Sequence, residues 1–253
     1  MSLNTSDLTH VCNLAIAEHR KFCNSPWLVK PSIPIPFFGD VEEYLSSTIK
    51  VVTVGLNPSL VEFKEDRFGV DYDDVLTSEA LVQYLSGYFD FNPYSRWFDK
   101  SFESLLQPLS TSFYGSSYPG NKVPKWWDTQ PNTALHTDIC SPLATDPTWS
   151  KLNPEVRLSL EGNGFEIWCQ LIEVLKPHLI LISVAKKQLS MFPNLNWQSL
   201  IPFGNGEDRH KMLIADFNGA KIVWGRSQVT PFFHLTIEQR QYAAENILKE
   251  LGC

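Results

Sequence analysis

Short buried strands that alternate with helices constrain this chain more than any other feature of its sequence. The run Lys50-Val-Val-Thr-Val54 is β-branched and ends at Gly55, and comparable runs occur at 133–137, 178–183 and 220–224. Helical periodicity fills the intervals at 77–88, at 95–107 and at 165–175, where Pro177 ends the pattern. This alternation predicts a three-layer α/β/α fold with a central, mainly parallel four-stranded sheet.

The two ends of the chain and one long loop carry local signals. Ser6 is expected to cap a first helix, which a Pro-rich extended connection at 31–36 follows. Asn218-Gly219 predicts a late β-hairpin between Met212–Phe217 and 220–224. Residues 110–131 predict a long loop, and Thr236-Ile-Glu-Gln predicts a capping box at the last helix. The apolar stripes expected on the two helices are Leu8, Val11, Cys12, Ala15 and Ile16, and Tyr242, Ala243, Ile247 and Leu251.

Composition sets broad limits on the class of protein. The chain has 253 residues with no repeat or flexible linker, so we expect one domain over 1–253, in which 1–49 form the N-terminal helix and the Pro-rich lead-in. The net charge of −7 carries no signal for nucleic acid, although a local basic groove is compatible with it. No apolar run approaches the ~20 residues that cross a bilayer. The N-terminal residues do not show the charged-then-apolar pattern of a signal peptide, so we expect a cytoplasmic protein without a membrane partner.

The five cysteines are scattered and none forms a C-x-x-C pair. This spacing disfavours a zinc ribbon and favours reduced, mostly buried thiols. A four-cysteine iron–sulfur site built from distant positions is the alternative.

Polar residues follow the strands at the edge where parallel α/β sheets bind ligands. Gly55-Leu-Asn-Pro-Ser59 places the carboxamide of Asn57 at the first strand tip, where it is able to hold a water or a base edge. An ordinary Asn-Pro turn is the alternative. Asp138 at the second strand end suits either a ligand contact or a turn cap, and we expect His136 on the opposite face as a structural histidine.

The third and fourth strands lead to basic and aromatic residues. Lys186 and Lys187 suit a phosphate contact or plain solvation. The loop from Arg226 to Thr236 contains His234, a residue able to carry protons or to stabilise an anion at neutral pH. Alternatively, the phenylalanines beside it attach the final helix to the core. Aromatic residues at 88–98 and 122–127 are candidates for stacking on nucleobases.

These segments together resemble the uracil-DNA glycosylase superfamily. Gly55-Leu-Asn-Pro-Ser59 is similar to the first motif of its mismatch-specific and single-strand-selective branches, Gly-hydrophobic-Asn-Pro-Gly. Pro93-Tyr-Ser-Arg-Trp-Phe98 is similar to the Pro-x-Asn-Arg-Phe-Trp segment of the mismatch-specific branch. In chain order, the other resembling segments are Thr137-Asp-Ile139, Ala185-Lys-Lys187 and the loop 230–236, which stands where the family has its second motif.

The chain departs from the family at two positions. Thr230-Pro-Phe232 stands where the family has His-Pro-Ser or Asn-Pro-Ser, so that either Thr230 or His234 takes the role of the polar residue. Asp138 replaces the asparagine that reads the base. A carboxylate only accepts hydrogen bonds, which disfavours uracil and favours a base that presents an amino group.

The resemblance implies a monofunctional DNA glycosylase that flips its target base out of single-stranded or mismatched duplex DNA. It implies no metal, no nucleotide cofactor and no obligatory protein partner. Asn57 is expected to position the water, Asp138 to read the base, and His234 or Thr230 to stabilise the departing base. The other implied contacts are Gly55, Leu56, Pro58 and Ser59 along the pocket, Phe91, Phe89 or Phe63 stacked on the base, and Lys186, Lys187 and Arg226 on the phosphates.

Two alternatives remain open at this point. The first is a non-catalytic relative that binds a nucleobase, nucleotide or nucleic acid on the same fold. The second is a hydrolase of free nucleosides or nucleotides. Acidic charge away from the pocket mouth favours the DNA enzyme, whereas an acidic mouth favours the binding protein.

Overall fold

The structure is a computed structural model that describes residues 5–64, 77–90, 93–117, 131–201, 212–226, 231–232 and 235–253. These residues form an α/β protein with a mixed sheet whose central strands are mostly parallel. The helices are α1 (Thr5–Lys21), α2 (Val41–Ser46), α3 (Ser78–Ser86), α4 (Ser95–Trp97), α5 (Glu103–Leu106), α6 (Pro154–Leu175) and α7 (Ile237–Leu251). The strands are β1 (Phe37–Phe38), β2 (Val51–Gly55), β3 (Thr111–Ser112), β4 (Asn132–Asp138), β5 (Leu179–Ile182), β6 (Gln198–Ile201), β7 (Met212–Phe217) and β8 (Ala220–Gly225).

The chain divides into two compact units, each built from three separate segments. The first unit consists of the described residues of Met1–Val41, Leu56–Tyr94 and Leu135–Leu175. The second consists of those of Glu42–Gly55, Ser95–Ala134 and Lys176–Cys253. The expectation of one domain over 1–253 stays a prediction.

The first unit is built around helix α1, which packs against α3 and α6. The five apolar positions expected on α1 are all buried, because their three- and four-residue spacing places them on one side of the helix. Strand β1 pairs antiparallel with the end of β4, with Phe37 opposite Thr137. The indole N–H of Trp168 on α6 donates to the Thr137 hydroxyl at 3.0 Å, which ties the helix to this strand.

The second unit contains three parallel strands with an antiparallel extension. Strand β5 lies between β2 and β8 and is parallel to both, and each of its residues is buried. Strand β7 pairs antiparallel with β8, and β6 pairs antiparallel with β7. Asn218 and Gly219 have φ values of 48° and 83°, so the predicted Asn-Gly hairpin is confirmed.

Several predicted boundaries need correction. Helix α1 already begins at Thr5, so Ser6 lies inside it, and α6 begins at Pro154, well before 165. The predicted helix at 95–107 contains a wider π turn at Phe98–Phe102 between α4 and α5. The predicted loop contains the short strand β3, and its residues 118–130 lie outside the described ones.

Two side-chain expectations also need correction. Tyr242, expected on the buried stripe of α7, is 43% exposed, because the buried face of the helix runs through Ala243, Ala244 and Ile247. Two of the five cysteines, Cys23 and Cys253, are exposed. The capping box of Thr236 and Gln239 at α7 is confirmed. None of the helices within the described ranges is both long and apolar enough to cross a membrane.

A buried carboxyl lies in the second unit beside the π turn. Glu103 is 2% exposed, and its Oε1 accepts hydrogen bonds from the Phe113 N–H at 2.7 Å and from the Ser112 hydroxyl at 2.9 Å. Burial raises the pKa of Glu103 to about 7, and the negative charge of Asp99 adds to the rise. The protonated carboxyl is therefore the form that the fold stabilises.

We predict that Glu103 makes the folded state less stable as the pH rises from 4.5 to about 7. The folded state binds this proton more tightly than the unfolded chain, so the stability is fully present below pH 4.5 and is lost as the pH passes the raised pKa. The loss amounts to about 3 kcal/mol. Urea unfolding of the wild type and of Glu103→Gln at pH 4.5 and pH 8 measures it. The variant is expected to lose about that much less stability than the wild type, and equal losses would contradict the assignment.

Candidate functional site

The loop that follows β2 is fixed by hydrogen bonds from a distant segment of the first unit. The N–H of Cys140 donates to the carbonyl of Leu56 at 2.8 Å, and the N–H of Thr145 donates to the carbonyl of Pro58 at 3.2 Å. Thr145 also forms a β-bridge with Ser59. The loop 56–59 is therefore held along its length by the segment 140–145, and we call this arrangement the strand-tip clamp.

The clamp also orients the carboxamide of Asn57, which is half-buried. Its Nδ2 donates to the carbonyl of Pro58 at 2.7 Å, to the Thr145 hydroxyl oxygen at 3.0 Å and to the carbonyl of Leu143 at 3.3 Å. Carbonyl oxygens only accept hydrogen bonds, so these partners decide which end of the amide faces the protein. No described residue donates to Oδ1. The Oδ1 of Asn57 is therefore held in one position, where it is available to accept a hydrogen bond from a water molecule.

A buried carboxyl group lies just beyond this loop. Ser59 caps a 3₁₀ turn, Leu60–Phe63, and accepts a hydrogen bond from the N–H of Val61 at 3.4 Å. Glu62 in this turn is 7% exposed and accepts a hydrogen bond from the Tyr88 hydroxyl at 2.6 Å. The same hydroxyl oxygen accepts the N–H of Tyr94 at 3.1 Å. Tyr88 thus holds the carboxyl of Glu62 in one position.

Asp138 ends β4, two residues before the clamp residue Cys140. Its side chain is 6% exposed, and burial together with the negative charge of Glu62 raises its pKa well above the usual range. The imidazole of His136 also lies near it, with Nε2 3.9 Å from Oδ1. Burial lowers the pKa of His136 to about 3, so its imidazole is uncharged.

The expectation that His136 faces away from Asp138 is wrong. Side chains alternate between the faces of a strand, so residues two apart lie on the same face. The ring of His136 also stacks on Phe38, with centroids 6.1 Å apart and an angle of 21° between the planes. His136 therefore belongs to the surroundings of Asp138.

The aromatic candidates for stacking on a base have different surroundings. Phe63 is half-buried on the 3₁₀ turn. Phe89 is 6% exposed and packs edge to face against Tyr88, with centroids 5.2 Å apart. Phe91 lies outside the described residues. Of the two described candidates, Phe63 has the more exposed side chain.

The remaining candidate residues belong to the second unit. Gly55 is the buried last residue of β2. Lys186 and Lys187 are exposed at the start of a 3₁₀ turn after β5, and the half-buried Arg226 follows β8. Strands β5 and β8 are parallel neighbours, so these cations lie beyond the same edge. Thr230 and His234 lie outside the described residues.

One phenylalanine of the loop before α7 is described, and it belongs to the core. Phe232 is fully buried, and its N–H donates to the Ser183 hydroxyl at 3.2 Å. Its ring packs against Phe102 with centroids 5.8 Å apart. This agrees with the reading in which the phenylalanines attach the final helix to the core, although its neighbour Phe233 lies outside the described residues.

Two residues of the site, Glu62 and Thr145, are missing from the sequence-based set. Tyr88 belongs to that set as an aromatic candidate for stacking on a base, and its hydrogen bond to Glu62 was not predicted. Ser59 followed by Glu62 matches the capping-box spacing, which signals the turn and places Glu62 in it. Thr145 contacts Asn57 although the two residues are 88 positions apart in the sequence, and no local sequence pattern predicts such a contact.

The described part of the chain contains no cluster of three or more His, Cys, Asp or Glu side chains that is able to hold a metal ion. No known family model matches the sequence, and no curated protein matches it either.

Helix α6 supports the clamp through a close backbone approach. Gly164 is buried against Cys140, and a Cβ at this position would overlap the Cys140 carbonyl and approach the backbone of Ser141. At Gly162 on the same helix, a Cβ meets no atom within 4 Å. The two glycines form a matched pair in one helix.

We predict opposite effects for alanine at these two positions. Gly164→Ala pushes α6 away from the clamp and lowers the free energy of unfolding by roughly 1–3 kcal/mol, as overpacking does. Gly162→Ala raises it by about 0.5–1 kcal/mol, because alanine favours the helix. Denaturant unfolding of both variants measures the difference. Equal stability of the two variants would show that α6 does not press on the clamp.

Proposed function

We propose that this chain is a uracil-DNA-glycosylase-like enzyme, which hydrolyses the N-glycosidic bond of a damaged or deaminated base flipped out of DNA. The observation that supports the proposal most is the carboxamide of Asn57. Its N–H groups are occupied by the clamp, and its Oδ1 is a fixed acceptor at the tip of a buried strand. The resemblance of the loop 55–59 to the first glycosylase motif independently assigns the same residue.

The proposed reaction uses Asn57 to hold a water. Its Oδ1 accepts one O–H of the water and so directs the lone pair of the water oxygen at the sugar C1′. The oxygen forms a bond to C1′ while the bond from C1′ to the base nitrogen breaks, and the electron pair leaves with the base. The attacking water releases a proton to the solvent, and the departing base takes one up from the solvent, so that the products are the neutral base and the sugar with a hydroxyl group at C1′. Because the clamp fixes Asn57 before substrate binds, little reorganisation is needed during the reaction.

The other proposed roles follow the family pattern. Asp138 reads the edge of the base, and His234 or Thr230 stabilises its negative charge as it leaves. Gly55, Leu56, Pro58 and Ser59 line the pocket. The remaining proposed contacts are Phe63, Phe89 or Phe91 stacked on the base, and Lys186, Lys187 and Arg226 on the DNA phosphates.

The proposal also covers the fold, the cellular location, the substrate and the cofactor requirement of the enzyme. We expect a three-layer α/β/α fold, a place in cytoplasmic base-excision repair, and single-stranded or mismatched duplex DNA as substrate. A hydrolysis with water as nucleophile and the base as leaving group needs neither a metal nor a nucleotide cofactor. No obligatory protein partner is part of the proposal.

One observation favours a second candidate function. Glu62 and Asp138 bring two carboxyl groups to the strand tip, and any negative charge that this pair carries repels DNA phosphates. An acidic mouth suits a protein that binds a nucleobase or nucleotide, or a hydrolase of free nucleosides. Free nucleosides therefore belong in the same assay as the oligonucleotides.

We predict that Asn57→Ala abolishes base excision while the protein stays folded. The assay uses labelled single- and double-stranded oligonucleotides that carry uracil, hypoxanthine, xanthine or a G·T or G·U mismatch, with alkali to cleave abasic sites. Removing a water-positioning group lowers the rate by about 10²-fold or more. Asn163→Ala is the matched control, because this exposed asparagine of the same unit donates only to Glu18.

The outcomes separate the candidates. Cleavage by the wild type and by Asn163→Ala, with none by Asn57→Ala although that variant still unfolds cooperatively, supports the glycosylase and names its base. Release of base from free nucleosides alone supports the second candidate. Full activity of Asn57→Ala would refute the assignment of the water-positioning residue.

A further inference from the structure

Asp138 is a largely buried carboxyl for which the described residues provide no hydrogen-bond partner. Its side chain is 6% exposed, and no described residue donates a hydrogen bond to it. The Nε2 of His136 at 3.9 Å from Oδ1 lies beyond hydrogen-bond distance. A buried carboxylate without donors is costly, because it loses the water that solvates its charge. Such a group points to a ligand that completes its hydrogen bonds.

The neighbours of Asp138 decide where a proton resides in this cluster. Glu62 has a donor in the Tyr88 hydroxyl at 2.6 Å, whereas none of the residues that the structure describes donates to Asp138. A hydrogen bond to a carboxylate favours its charged form, and a second negative charge nearby is unfavourable. The titratable groups of the described residues that face Asp138 are Glu62 on the 3₁₀ turn and the uncharged His136 on β4. Neither supplies the positive charge that an ionised Asp138 needs.

An uncharged carboxyl group has different recognition chemistry from a carboxylate. It presents one O–H donor beside one carbonyl acceptor, as a carboxamide presents N–H beside oxygen. A base edge with a ring N–H next to a carbonyl oxygen forms two hydrogen bonds with such a group. A carboxylate accepts only, and is matched by an edge with two adjacent N–H donors.

We propose that Asp138 is the specificity-determining residue of the site and that it reads, as an uncharged carboxylic acid, a base with a ring N–H beside a carbonyl oxygen. Uracil, hypoxanthine and xanthine have this lactam edge. The inference rests on the proposed function and reverses the preference that a charged Asp138 implies. It explains how an aspartate performs the task that the resembling family gives to an asparagine.

The proposal predicts that activity on a lactam base depends on pH. The direction of this dependence follows from the proton that Asp138 carries. At low pH Asp138 keeps its O–H donor and the lactam edge is bound. As the pH rises through the raised pKa of Asp138, the donor is lost and a negative charge faces the carbonyl oxygen of the base. Activity on a lactam base therefore falls on the alkaline side.

The test compares wild type, Asp138→Asn and Asp138→Ala on a uracil oligonucleotide, as kcat/KM over a range of pH. In the wild type we expect kcat/KM to fall at least about tenfold as the pH rises, because a hydrogen bond to the base is lost and a repulsion is added. Asp138→Asn keeps a donor and an acceptor at every pH, so this alkaline fall disappears. Asp138→Ala is weak throughout. The same alkaline fall in wild type and Asp138→Asn would overturn the proposal.

Substitution of Glu62, the neighbouring carboxyl residue, tests whether Asp138 carries the titration. If Asp138 had a purely structural role, this substitution would not shift the pH profile of the activity. Glu62→Gln removes the negative charge that opposes ionisation of Asp138 and keeps an acceptor for Tyr88. The alkaline fall is expected to shift to lower pH in this variant. An unmoved profile would mean that Asp138 does not carry the titration.

A binding arm separates failure of this inference from failure of the proposed function. If the folded wild type cleaves no substrate, the glycosylase proposal fails, and binding of 1-methyluracil and 1,3-dimethyluracil is measured by calorimetry. The methyl group on N1 stands where the sugar is attached in DNA, so that N3–H is the ring N–H that remains in the first base and is missing from the second. The inference predicts that 1-methyluracil binds more tightly at low pH, that 1,3-dimethyluracil does not bind, and that the pH effect is lost in Asp138→Asn. Absence of 1-methyluracil binding at every pH, or equal binding of both bases, would overturn the inference as well.

Discussion

The strand-tip clamp is the constraint on which the candidate site depends. Two backbone hydrogen bonds, from Cys140 to Leu56 and from Thr145 to Pro58, hold the loop after β2 against the segment after β4. The same segment accepts the N–H groups of Asn57, so the backbone clamp and the side-chain orientation are one structure. Preorganisation of this kind lets a polar group act without being reoriented during a reaction. The buried approach of Gly164 to Cys140 extends the dependence to helix α6.

The site combines this rigid amide with carboxyl groups that are poorly solvated. Asp138 is buried and has no hydrogen-bond donor within the described part of the chain, whereas Glu62 is buried and has one. Folding gains nothing from an unsatisfied buried polar group, and proteins retain such groups mainly where they serve a ligand. Glu103 differs in that Ser112 and Phe113 both donate to its Oε1, although its Oε2 has no partner among the described residues. The two raised pKa values therefore have different consequences, one for stability and one for recognition.

Local signals in the sequence predicted the elements that short-range chemistry determines. The β-branched run at 51–54, the Asn218-Gly219 turn and the capping box at Thr236 depend on neighbouring residues, and each is present. Strand β1 escaped prediction because it is two residues long and follows a Pro-rich segment. The early start of α6 escaped because glycines interrupt its periodicity. Asn57 and Asp138 were visible at strand ends, but Thr145 and Tyr88 reach the site through contacts that no local pattern encodes.

The most direct test of the account is a crystal structure with a single-stranded oligonucleotide that carries 2′-fluoro-2′-deoxyuridine, whose fluorine slows loss of the base. The account predicts a flipped nucleotide at the strand tip, with the ring N–H and a carbonyl oxygen of uracil on Asp138. A water should lie between Oδ1 of Asn57 and the sugar C1′. A nucleotide bound elsewhere, or an Asn57 whose Oδ1 faces the protein in that complex, would contradict it.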